Sequence, residues 1–98
     1  MFAEYFASQD PLPEPPLIDR LEPEGQLRPD LATVYANGGA KAAAGWLRQA
    51  QRDSDRIRAA NGWPAITRDQ MLEYLESVAA RDLCDTELKA VRAAYLEL

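Results

Sequence analysis

Few side chains in this sequence could do chemistry at neutral pH. There is no histidine, so the residue that most often moves protons near pH 7 is missing, and with it the commonest nitrogen ligand for metals. Cys84 is the one cysteine. It lies in RDLCDTE between Asp82 and Asp85, acids that do not activate a thiol as a neighbouring cation would. A place in a turn or core is the expected role. Glu73 and Glu76 stand three apart, on one face of any helix that holds them, as a working carboxylate pair could. No glycine-rich phosphate loop and no second ligand cluster accompanies them, so solvation of a helix surface accounts for both. No catalytic residue, metal site or cofactor is expected, and the chain reads as non-enzymatic.

The remaining candidates are groups that bind. Arg48, Arg52 and Arg56 recur every four residues in GWLRQAQRDSDRIR, with Arg58 close by. Like charges at this spacing disfavour an isolated helix by about 0.2–0.5 kcal/mol per pair. A solvated arginine face is the plainer outcome. The other is an acidic counterpart: Asp53 or Asp55 within the helix, the chain's own acidic N-terminus, or a partner. GGAKAAAGWL (38–47) is a run of small residues that lets a second helix approach closely, within the chain or between chains. Ala43, Trp46, Leu47 and Ala50 lie on one stripe there and form a candidate self-association surface. Gly45 adds to that reading, because glycine inside a helix costs about 1 kcal/mol relative to alanine. Trp63, in NGWP, is expected as a lid over a helix junction. Phe2, Tyr5 and Phe6 share one side of a single helical turn. Three exposed aromatics would invite aggregation, so they are expected to be sheltered on the chain's own helices, on a sister subunit, or as anchors on a different protein.

The elements that must position these residues are helices preceded by an extended arm. Six of the seven prolines fall between residues 11 and 29. Each fixes φ, removes a backbone donor and biases its predecessor away from the helix. Leu12, Leu17, Ile18, Leu21 and Leu27 recur through this stretch, which a purely solvating spacer would lack. Leu17 and Ile18 join the aromatics as candidate contacts. Asp30 is a candidate N-cap for a short element carrying Leu31, Val34 and Tyr35, which Asn37-Gly38-Gly39 should stop or bend. A long helix over about 40–60 follows, with Ala43, Trp46, Leu47, Ala50 and Ile57 as its apolar stripe, closed by Asn61-Gly62 and Trp63-Pro64. The next helix, 67–80, opens on a capping box of Thr67 and Gln70 with Ile66 stapled onto Met71. It buries Met71, Leu72, Leu75, Val78 and Ala79, with Tyr74 beside them. The last, 86–97, starts from Asp85 as N-cap and carries Leu88, Val91, Tyr95 and Leu98. The expected fold is all-α, a small bundle of three main helices (residues 30–98) behind a proline-rich acidic arm (residues 1–29).

Composition limits the core and the partners. The chain has 98 residues, 47% of them apolar, but alanine accounts for much of that share. A lone bundle would have a thin core, which favours association into a homodimer. Residues 1–30 carry seven acids against Arg20 and Arg28, and the acids and bases of the remainder cancel, so the net charge of −5 sits in the arm. Acidity of this kind repels phosphate backbones and disfavours nucleic acid as a partner. No run of apolar residues is long enough for a membrane span and no secretory signal opens the chain. With a single cysteine, the expected location is the cytoplasm. A helix–turn–helix reader of DNA would use the last helix, which offers only Lys89 and Arg92 against Glu87 and Glu97. An ordinary antiparallel pair fits better.

Taken together, MFAEYFASQDPLPEPPLIDRL followed by GWLRQAQRDSDRIRAANGWPAITRDQMLEYLESVAARDLCDTELKAVRAAYLEL resembles the LasR-directed quorum-sensing antiactivators of the QslA type in size and helix order, over nearly the whole chain. The resemblance implies a small helical dimer with a long N-terminal coil. Such a protein binds the ligand-binding domain of a LuxR-type regulator, so that the regulator no longer dimerises on its DNA. The activity is occlusion, so no catalytic residue is carried over. The function expected is that of a protein-binding inhibitor whose contacts are Phe2, Tyr5, Phe6, Leu17 and Ile18 with the Arg48, Arg52 and Arg56 face. Two other readings stand beside it: a phage or plasmid inhibitor of a host complex, of the anti-CRISPR kind, and a small helix–turn–helix DNA-binding regulator.

Overall fold

The computed structural model of the protein describes residues 17–18, 22, 25–77 and 79–98. The chain is all-α. Helix α1 spans Leu31–Ala60, α2 spans Arg68–Ser77 and α3 spans Asp85–Leu96, with a single 3₁₀ turn, Ala79–Arg81, between α2 and α3. Helix α1, 30 residues with a kink at Gly39, is the spine against which α3 packs. The α2–turn–α3 hairpin closes on itself beside it. Phe2, Tyr5, Phe6, Leu12, Leu21 and Val78 lie outside the described residues.

The short element and the long helix expected from the sequence are two helical stretches of α1 that meet at a kink. The first stretch stops at Gly39, whose dihedrals are not helical (φ 77°, ψ −165°), and the second runs from there to Ala60. That region of backbone space is open almost only to glycine. Gly38 is fixed for a different reason: a Cβ there would sit 2.5 Å from the Ala42 Cβ, which belongs to the helix and cannot move aside. Gly39→Ala is therefore expected to destabilise the chain by about 1–3 kcal/mol, lowering the thermal midpoint by about 4–8 °C for each kcal/mol. Thermal unfolding followed by circular dichroism checks this, and an unchanged midpoint would mean the bend can be straightened.

The caps differ in part from expectation. Thr67 and Gln70 form the capping box: the Thr67 N–H donates to Gln70 Oε1 at 2.9 Å and the Gln70 N–H donates to Thr67 Oγ1 at 3.1 Å. Asp30 stands at the N-cap of α1, but its side chain makes no capping bond. The N-cap of α3 is Cys84, one residue before the aspartate expected to serve. Glu87 lies three residues beyond Cys84 and accepts its N–H at 3.0 Å, which sets the start of the helix. Helix α2 ends at Ser77, where the hydroxyl bonds back to the Glu73 carbonyl at 2.7 Å. The expected span to residue 80 is completed by the 3₁₀ turn.

The core holds Leu31, Ala43, Ala44, Leu47 and Ala50 of α1, Ile66, Met71 and Leu75 around α2, Ala79 and Leu83 of the turn, and Val91 and Tyr95 of α3. Ile18 joins it, and Leu17 packs at its edge. The boundary near residue 29 is thus one of secondary structure and not of packing.

Candidate protein-binding surface

The inward face of α1 decides what its outward face can present. Its apolar stripe ends at Ala50, and the buried face continues through Gln51, Ser54 and Arg58. The connection at residues 61–67 folds back over that end, and its backbone groups have no helix to pair in. Polar side chains of α1 pair them instead. Gln51 Nε2 donates to the Ile66 carbonyl at 3.2 Å, Asp55 Oδ1 accepts the Ile66 N–H at 2.7 Å, and Arg58 Nε donates to the Pro64 carbonyl at 2.7 Å. Tyr95 of α3 completes the cluster by donating its hydroxyl to Gln51 Oε1 at 2.7 Å. Trp63 lies over Arg58, with the guanidinium carbon 5.9 Å from its ring centroid, so it covers this junction as the sequence suggested. Ile57, placed on the apolar stripe by spacing, is exposed. The buried face had turned polar one turn earlier, and Ile57 falls outside it.

The segment before α1 is tied to the side of that helix. Arg28 Nη1 meets Asp53 Oδ2 at 3.1 Å, with both side chains buried. Asp53 Oδ1 also accepts from Gln49 Nε2 at 2.9 Å. Trp46 donates its indole N–H to the Pro29 carbonyl at 3.0 Å. Acidic arm on basic helix was one reading of the sequence. In the described residues this contact has the opposite polarity, a basic residue of the arm held by a carboxylate of the helix.

Both carboxylates of α1, Asp53 and Asp55, are thus engaged away from its outward face. What remains there is basic. Lys41, Gly45, Arg48, Arg52, Arg56 and Ala59 follow the helical repeat along one strip; all are exposed except Arg48, which is half-buried. Arg48 Nη1 leans back to Gln51 Oε1 at 3.4 Å. Among the described residues, neither Arg52 nor Arg56 makes a side-chain hydrogen bond or ion pair. Gly45 stands one turn before Arg48 on the strip, with nothing within 4 Å of where its Cβ would be. Lys41 was not singled out by sequence, although its place one turn before Gly45 was the available signal.

The sequence candidates therefore divide. Arg48, Arg52 and Arg56 share one accessible face. Leu17 and Ile18 pack on the chain's own core, and so do not form an exposed contact surface. Ala43, Leu47 and Ala50 are buried by this chain itself, so the small-residue stripe serves packing within the chain and is not open to a second copy. Trp46 is half-buried and holds the arm. Phe2, Tyr5 and Phe6 lie outside the described residues.

The open surroundings of Gly45 remove the reason first expected for it, since among the described residues none packs against it. Gly45→Ala is expected to stabilise the isolated chain by about 0.5–1 kcal/mol, readable as a higher urea midpoint with unchanged slope. A loss of stability instead would mean that something approaches the helix backbone there in the free protein.

No helix among the described residues is long and apolar enough to cross a membrane. No family model, no curated protein and no solved structure matches the chain.

Proposed function

We propose that the protein is a non-enzymatic, cytoplasmic binding protein that acts by covering a surface of another protein, and that its recognition face is the outward strip of α1. The observation that carries this reading is the exposed Arg52 and Arg56, with half-buried Arg48 beside them, on a helix whose two carboxylates are both turned to other work. A chain with a net charge of −5 keeps a basic helix face bare of acids. Like-charge spacing on that face opposes helix formation slightly, and a carboxylate-bearing partner would reverse the sign of that term. Phe2, Tyr5 and Phe6 would add the aromatic anchors that dominate most interfaces.

The regulatory form of the proposal is an antiactivator. The protein would bind a LuxR-type transcription regulator, cover its dimerisation surface and so release it from DNA, acting as a homodimer or as a single chain. The test is a gel shift of the regulator on its own promoter fragment. Adding the protein should release the regulator from the fragment, and the Arg52→Glu/Arg56→Glu variant should need at least about tenfold more protein, the loss of about 1.4 kcal/mol of binding. A salt-sensitive shift of the fragment by the protein alone would overturn this reading in favour of a DNA-binding regulator.

A further inference from the structure

Taking the outward strip of α1 as a recognition face, we infer that its partner there is an acidic α-helix, laid along the strip and closest to it at Gly45. Arg48, Arg52 and Arg56 climb α1 in steps of about 6 Å, and Lys41 extends the row to about 22 Å. Among the described residues, Lys41, Arg52 and Arg56 make no side-chain hydrogen bond or ion pair, so their charge is open to carboxylates. Carboxylates at every fourth position of a second helix rise by the same step. Each arginine can take one of them in a charge-assisted contact.

An extended acidic segment matches the charge of the strip but not its hydrogen bonding. Lysine and arginine donate hydrogen bonds and accept none. The N–H groups of an extended chain laid on them would lose water and find no acceptor. A helix arrives with its backbone already paired, and brings only side-chain acceptors to a surface of donors.

Gly45 sets how close that helix comes. It is exposed between Lys41 and Arg48 on the strip, with nothing within 4 Å of where its Cβ would be. Half-buried Ala42, on the preceding turn, is its small neighbour, so the two leave a shallow notch with basic side chains at either end. Packed helices lie about 8–10 Å apart, depending on the side chains at the contact, and glycine permits the short end. In the free chain this glycine only weakens the helix, and a partner helix is what its openness admits.

The test uses the full-length chain and fluorescein-labelled, alanine-based peptides of about 20 residues, followed by anisotropy at low salt. One peptide carries glutamates at every fourth position of one face. The other has the same charges and two central prolines that break its helix. The helical peptide should bind at least about tenfold more tightly, and Arg52→Glu/Arg56→Glu should remove that binding. Gly45→Ala should weaken it about threefold and Gly45→Gln at least about tenfold, because the added side chain holds the helices apart. Both variants should unfold at a higher urea concentration than the parent, so weaker binding cannot come from unfolding. Equal binding of the two peptides, no binding of either at about 1 mM, or parental affinity in Gly45→Gln would overturn the inference. So would a change in the sedimentation of the protein alone on Gly45→Gln, because the occupant would then be a second copy. If the arginines matter to the peptides and the glycine and prolines do not, the recognition reading stands without this partner. If charge reversal leaves the regulator's gel shift unchanged, that reading fails whatever the peptides do.

Discussion

Leu47→Ala should lower the stability of the chain by about 3–4 kcal/mol, at the upper end of what one truncation does. Leu47 is 1% exposed and lies midway along the apolar stripe of α1. Its neighbours on that face are Ala43, Ala44 and Ala50, whose single methyl groups cannot reach into the space left behind. The cavity therefore persists, and the cavity term adds to the lost transfer free energy. Domains of this length hold about 5–15 kcal/mol in all, and a core so rich in alanine places this one low in that range. The variant should unfold at least about 12 °C below the parent and show reduced helicity at body temperature. A loss under about 1 kcal/mol would mean that α3 closes onto α1 without strain, and that the core is looser than described.

Asp53→Ala should also be damaging, for an electrostatic reason. Its carboxylate is buried, meets Arg28 at 3.1 Å and accepts from Gln49 at 2.9 Å. Truncation takes from a buried guanidinium one charged acceptor it was folded against, while Arg28 keeps a further contact, so the expected loss is that of a charged hydrogen bond, about 1.5–3 kcal/mol. Replacing the pair together, Arg28→Met/Asp53→Leu, should recover most of that loss, since two apolar side chains of similar volume carry no such penalty. Urea unfolding of the two variants separates the cases. If Asp53→Ala and the double variant are equally unstable, the tie between arm and helix is held by shape and not by charge.

That pair also marks where sequence reasoning stopped. Helix order, the capping box at Thr67–Gln70 and the burial of Met71, Leu75, Val91 and Tyr95 were legible because periodicity and cap chemistry are local. The bend at Gly39 was legible from glycine alone. The burial of Arg28, Gln51, Asp53, Ser54 and Arg58 was not. Charged and amide side chains read as surface unless one knows that the connection at residues 61–67 folds back over α1 and brings backbone groups that need partners. The same long-range fact moved Ile57 outside the core. It also turned Ala43, Leu47 and Ala50 from a candidate interface into an interior. For the binding face, the spacing of Arg48, Arg52 and Arg56 was visible from the start. That Asp53 and Asp55 leave this face to its arginines became visible only once each carboxylate had a named partner.

The outward strip of α1 is proposed to recognise a protein. The most direct measurement is the affinity of the proposed partner, a LuxR-type regulator, for the full chain and for Arg52→Glu/Arg56→Glu, by titration calorimetry at two salt concentrations. Charge reversal should weaken binding by at least about tenfold at low salt, and the gap should narrow as salt screens the face. Equal affinities at both salt concentrations, with the variant's helix content intact, would contradict it.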